Sequence, residues 1–367
     1  MTSAAPSPTR TTPEPVDWAL AERVARRIAG RERLATSYLW GSLERDFAEV
    51  TIEAEGAVTE LTGLRPPSPA VAAVLDRSAW VSANVVSMRA LLSPFSDKVG
   101  PRLAKSPVAP VGRRVAGAEL GFLLGYVAQR VLGQYDLLVP EDAATVTAED
   151  AVYYVGPNIL GLEKRFAFRP LDFRRWIALH ELTHRAQFTG VPWLRPYFLS
   201  LVSELLGGVE PDPRRLVAAV GRAVDEVRRG RNPIDEGGMV ALFATEEQRE
   251  TLAKVQALMS LLEGHGNAVM NRLGAELVDG QERMARVLQA RRTARGATAL
   301  LHRLLGLELK LRQYELGESF INEIEREAGV RAVDPAWRGP ELLPTLAELS
   351  APTTWLARVD GATVAAG

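Results

Sequence analysis

A chain of 367 residues, 47% apolar and 24% charged, is long enough for one large domain or two ordinary ones with a sizeable core. Its net charge of −1 supplies no global field to recruit nucleic acid or an acidic membrane, and its apolar runs are too short for a membrane span. The absence of cysteine excludes disulfides, thiolate nucleophiles and cysteine-based zinc sites, and it fits a reducing cytoplasm.

Residues 1–16 are rich in Pro, Ser, Thr and Ala and lack the basic start and apolar run of a secretory signal, so a disordered tail is expected there. A helical domain over 17–330 and a C-terminal wrapping segment over 331–367 are expected to follow. Asp17 to Gly30 reads as a first helix, and Glu32 to Leu64 as one long helix or a bent pair, ended by Arg65-Pro66-Pro67-Ser68-Pro69. Ala70 to Leu92 has helical spacing, with Val71, Val74, Leu75 and Ala79 on one face. Pro101 to Pro110 reads as a loop and Val115 to Leu132 as an amphipathic to buried helix. Two short runs then break the helical texture. Tyr135 to Val139, closed by Pro140, and Ala151 to Val155, ended by Gly156-Pro157-Asn158, read as strands and as antiparallel partners.

Helices resume at Pro170, which suits a first turn, and Leu171 to Phe188 is stopped by Gly190 and Pro192, with Trp193 packing at the turn. Further helices are expected over Leu194–Leu206, Pro213–Arg229, Thr245–Leu273, Gly280–Leu305 and Leu307–Ala328. The Pro-rich remainder carries Trp337 and Trp355 and is expected to wrap over the helical body. Arginine-rich stretches at 214–231 and 283–295 have acids interspersed and read as solvated helix faces, so no nucleic-acid partner and no membrane partner are expected.

The chemistry centres on His180-Glu181-Leu182-Thr183-His184, which uses two of the four histidines. Residues four apart on a helix point the same way, so two imidazoles can grip one Zn²⁺ while the glutamate activates water. Phe173, Trp176, Ile177, His180, His184 and Phe188 share one face. At about 100° per residue, Glu181 falls on the flank of that face, where a base belongs. A zinc hydrolase needs a third protein ligand. Glu263 extends the inward face of Met259 and Leu262, and burying its carboxylate is costly unless it is paired or metal-bound. Glu263 is the preferred third ligand and His265 the alternative, since two residues apart on a regular helix cannot both bind. Asn267, four residues past Glu263, can accept a ring N–H from a ligand histidine. Tyr314, His302 and His265 are candidate donors to a developing oxyanion. Val152 to Val155 is a candidate edge strand beside the cleft, with a plain structural strand as the alternative.

The motif helix followed by a distant helical glutamate resembles the gluzincin branch of the zincin metallopeptidases, with Glu263-x-x-x-Asn267 similar to its Glu-x-x-x-Asp. The metzincin pattern is disfavoured, because Gln187 and Gly190 stand where it needs Gly and His. Three longer phrases are similar to one family. They are His180 to Phe188 with Val191-Pro192-Trp193-Leu194-Arg195, Gln256 to His265, and Leu305 to Lys310 with Gln313-Tyr314. They resemble zincin-like proteins of actinobacteria and other bacteria, described as zinc-dependent metalloproteases or hydrolases, some labelled as associated with biosynthesis of a deazaflavin coenzyme. The resemblance implies a mainly α, zincin-like metallohydrolase fold with a small β element. The expected function is a zinc-dependent hydrolase acting on a peptide, with Glu181 as base and Zn²⁺ as cofactor. A small-molecule amide substrate and a non-catalytic, metal-stabilised interaction protein are the alternatives, and oligomeric state is left open.

Overall fold

A computed structural model describes residues 14–30, 38–103, 106–137, 150–207, 245–292 and 307–366. The fold is mainly helical around one small sheet. In chain order its elements are α1 (Trp18–Ala29), α2 (Tyr38–Thr62), β1 (Val71–Leu75), α3 (Arg77–Leu91), α4 (Ser93–Leu103), α5 (Ala109–Ala128), β2 (Gly133–Tyr135) and β3 (Ala151–Val155). There follow α6 (Gly156–Phe166), α7 (Pro170–Gly190), α8 (Leu194–Gly207), α9 (Glu246–Leu277), α10 (Gln281–Arg292), α11 (Leu307–Ala328), α12 (Leu346–Leu349) and α13 (Pro352–Ala366). The expected helix over Pro213–Arg229, the start of the helix expected from Glu32, and the stretch from 293 to Leu305 lie outside the described residues.

The sheet has the order β1-β3-β2, with β1 parallel and β2 antiparallel to β3. Two readings of the sequence are corrected by it. Residues 71–75 are a strand, and the helix expected from Ala70 starts only at Arg77, where Asp76 accepts the Ala79 N–H at 2.7 Å as an N-cap. Val152 to Val155 belongs to the central strand, so β2 is an edge among the described residues and β3 is not. All five residues of β3 are buried, which explains its unbroken apolar run. The second strand is shifted from Tyr135–Val139 to Gly133–Tyr135, with 138–149 outside the described residues. Pro101 lies inside α4 and not in a loop, and Gly156-Pro157 ends β3 by opening α6.

The main core surrounds α7. Leu43, Phe47, Val50 and Ala54 of α2 meet Phe173, Ile177 and Leu182 of α7, Leu258 and Leu262 of α9, and Val152 and Tyr154 of β3. Phe47 stacks on Tyr154 with ring centroids 3.8 Å apart, and the Tyr154 hydroxyl meets Thr51 Oγ1 at 2.9 Å. A second cluster joins α9 and α11 to the C-terminal segment through Leu261, Phe320, Ile324 and the fully buried Trp355. A third joins α1, α3 and α5 to the end of β3 at Val155. The helix spans of α1, α8 and α11 match the spacing of their apolar residues, and α9 begins at a capping box in which Thr245 and Gln248 satisfy each other's backbone N–H groups.

Candidate metal centre

Pro170 at the first turn and Asp172, paired with Arg169 at 3.1 Å, start α7, and almost all of its circumference is then covered by neighbouring elements. Two charged residues are buried with it. Arg174 binds Glu163 through two hydrogen bonds of 2.9 and 3.0 Å and Asp46 at 2.5 Å. Arg185, fully buried, pairs with Glu55 of α2 and with Asp150, and donates to Ser68 O at 2.7 Å. These pairs fix α7 in register against α2 and against the turn that enters β3.

His180 and His184 project together from this helix, their rings edge to face at 85° and their Nε2 atoms 3.3 Å apart. Glu263 comes from α9, with Oε2 3.5 Å from His184 Nε2. One ligand atom from each of the three residues lies within 4.8 Å of the other two. Zinc bonded tetrahedrally to two imidazoles at about 2.0–2.1 Å requires their nitrogens to stand about 3.3–3.4 Å apart. The observed Nε2 separation therefore fits such an ion, and two nitrogens with one carboxylate oxygen are a zinc donor set that leaves a fourth position open. Gly266 lets α9 approach closely, since a Cβ there would stand 3.3 Å from His184 Cε1. On the far side of α9, Gly264 meets Gly317 of α11 backbone to backbone, and a Cβ on Gly317 would fall 1.8 Å from Ser260 O. That crossing holds the turn carrying Glu263.

Burial alone would lower the pKa of His184, but its bond to Glu263 and the charges of Glu263 and Glu181 outweigh that and push it up to about 9. The pocket is thus organised for positive charge. Glu181 is 8% exposed and lies against the edge strand, where a Cβ on Gly133 would stand 2.6 Å from its Cγ and 2.8 Å from Oε1. The edge strand is itself held at its centre and just past its C-terminal end. Trp80 of α3 donates to Gln134 Oε1 at 2.7 Å, Ser87 donates to Asp136 at 3.0 Å, and Arg195 of α8 donates to Leu137 O at 3.1 Å.

The remaining expected residues fall in different places. His265 lies outside the three-residue group, with Nδ1 2.9 Å from Gln187 Nε2 and its ring 5.1 Å from that of Trp337. Burial and the neighbouring His184 and Arg272 lower its pKa to about 3. Asn267 is buried one turn past Glu263, but the group that accepts from His184 Nδ1 is Gln187 Oε1, at 3.0 Å. Gln187 escaped the sequence reading, although its position three residues after His184 puts it within reach of that ring. The partnership of Glu181 with Gly133 had no sequence signal, because it depends on strand pairing. His302 and the side chain of Tyr314 lie outside the described residues.

The zincin-like metallopeptidase family matches over residues 16–356, nearly the whole chain. The chain belongs to that family. Among solved structures it is similar to one from Chloroflexus aurantiacus described as a "putative hydrolase with a novel fold", with 30% identity, a TM-score of 0.69, and coverage of 94% of this chain and 99% of that one. No curated protein is matched by the sequence. Membership of the family implies a divalent metal, and His180, His184 and Glu263 are the group that the described residues offer it. No helix among the described residues is long and apolar enough to cross a membrane.

Proposed function

We propose that this protein is a zinc-dependent peptidase in which His180, His184 and Glu263 hold the ion and Glu181 is the general base. The carrying observation is the convergence of two imidazoles from α7 and one carboxylate from α9 within 4.8 Å. Zinc bound there would supply Lewis acidity and lower the pKa of a water molecule toward neutrality. Glu181, beside the histidines and packed against Gly133 of β2, would take the proton from water as it attacks the scissile carbonyl and deliver it to the leaving amine.

The edge strand favours a peptide over a small amide. Gly133 brings the β2 backbone directly beside Glu181, and an extended peptide adding to that edge would pass its backbone across the base. His265, engaged by Gln187 and packed on Trp337, has the surroundings of a structural residue and not of an oxyanion donor. A purely structural zinc has no need of a base, and this argues against a non-catalytic role.

Metal analysis and turnover of a quenched-fluorescence peptide library test the reading together. The native protein should hold one zinc and cleave peptides, His184→Ala should lose the metal, and Glu181→Gln should keep the metal and lose cleavage. Undiminished hydrolysis by Glu181→Gln removes the proposed base, and zinc retained at full stoichiometry by His184→Ala removes the proposed site.

A further inference from the structure

The side chain of Gln187 makes three hydrogen bonds inside the core, and their chemistry leaves one self-consistent arrangement. Its Nε2 lies 3.0 Å from Leu262 O and 2.9 Å from His265 Nδ1, and its Oε1 lies 3.0 Å from His184 Nδ1. A backbone carbonyl only accepts, so the amide nitrogen must face Leu262. The amide cannot be flipped without setting two acceptor oxygens against each other in a site where Gln187 is fully buried. With the nitrogen fixed, its second hydrogen points at His265 Nδ1, which must then carry a lone pair. The oxygen, fixed by the same choice, must accept a hydrogen bond from a protonated His184 Nδ1.

We infer that Gln187 is the positioning residue that locks the tautomer of His184, presenting an unprotonated Nε2 to the metal, with Leu262 O and His265 as its anchors. The inference rests on the metal reading above and concerns a residue that touches no ion. An imidazole held by one ring nitrogen has its rotation and its basicity set by the partner on the other. Here that partner is an amide whose own orientation comes from α9, the helix that also carries Glu263. The two ligand helices are therefore joined by Gln187 independently of any ion. His265, buried against Trp337, ties the same amide to the C-terminal segment.

Two measurements test this, and neither needs a substrate. The first is long-range ¹H–¹⁵N NMR on zinc-loaded native protein with ¹⁵N-labelled histidine, its four histidines assigned by single substitutions. The expected pattern is a proton on Nδ1 of His184 with Nε2 metal-bound, and a proton on Nε2 of His265 with Nδ1 bare. Coordination of His184 through Nδ1, or a proton on Nδ1 of His265, overturns the inference. The second is zinc affinity by chelator competition for Gln187→Met, which matches the length of the side chain and removes the amide. Affinity should fall by about 10- to 100-fold, the usual effect of losing a partner that orients a metal ligand. Native affinity in Gln187→Met refutes the inference while leaving the metal site standing. Failure of the native protein to bind zinc at all refutes the underlying reading instead.

Discussion

Replacing Gly133 with alanine separates the base from the fold. The new Cβ would stand 2.6 Å from Glu181 Cγ and 2.8 Å from both Cδ and Oε1. Carbon atoms in ordinary contact stand about 3.5–4.0 Å apart, so the Glu181 side chain must retreat by about 1 Å. The obstructing atoms all belong to a side chain, which can swing, and not to backbone, which cannot. Stability should therefore change little, and the loss of glycine's backbone freedom even favours the strand by about 0.5–1 kcal/mol. Misplacement of a catalytic group by about 1 Å costs on the order of 10²-fold in rate. The expected result is kcat down by about a hundredfold, with zinc stoichiometry retained and the thermal midpoint moved by no more than a few degrees. Steady-state kinetics, metal analysis and a melting curve on one preparation supply all three numbers. Full activity would mean that Glu181 does not work from the position beside β2, and loss of zinc or of folding would mean that the contact is structural.

Two further outcomes follow from the charges around α7. His184 is raised from 6.5 to about 9, so its stabilisation of the metal-free protein is fully present below about 6.5 and is lost as pH rises through about 9. The same proton competes with zinc. Chelator competition should show affinity rising by up to about tenfold per pH unit between 7 and 9 from this group, then flattening, and a flat profile over that window contradicts the coupling. Arg185→Met strands Glu55 and Asp150, whose side chains are each 20% exposed, and should destabilise the protein by about 3 kcal/mol in urea unfolding, near the lower bound for a broken buried pair. A loss below about 1 kcal/mol would show that solvent already screens both carboxylates.

How far the sequence could be read depended on the range of each signal. The motif helix, the helix carrying Glu263 and the strand Ala151–Val155 were legible because their spacing and caps are local. Val71, Val74 and Leu75 satisfy helical spacing over one turn, but five residues are too few to separate a helix from a parallel strand. What decided for the strand is pairing with β3, which lies 80 positions away in the register Val71 with Ala151. The same limit hid the edge. The apolar residues of β3 suited a cleft strand, yet it has a strand on either side and its residues are buried in two different clusters, Val152 and Tyr154 in one and Val155 in the other. Gln187 was overlooked for another reason. An amide three residues past a ligand has many possible partners, and its three bonds are determined by Leu262 and His265, 75 and 78 positions downstream.

The arrangement of charge suits the proposal that two imidazoles from one helix and a carboxylate from another hold a divalent cation in the core. Glu181 and Glu263 are 8% and 7% exposed and both face the histidine pair, and buried carboxylates are costly without compensation. The nearest arginines on α7 are committed elsewhere, Arg174 to Glu163 and Asp46, Arg185 to Glu55 and Asp150. Part of the compensation comes from His184, which both carboxylates drive toward its protonated form. One proton offsets one negative charge, whereas a divalent cation offsets two and leaves both imidazoles neutral, the state in which they are ligands. Metal release from such a centre is an exchange of Zn²⁺ for protons and not a simple departure, and the pH profile of zinc affinity reports that exchange directly.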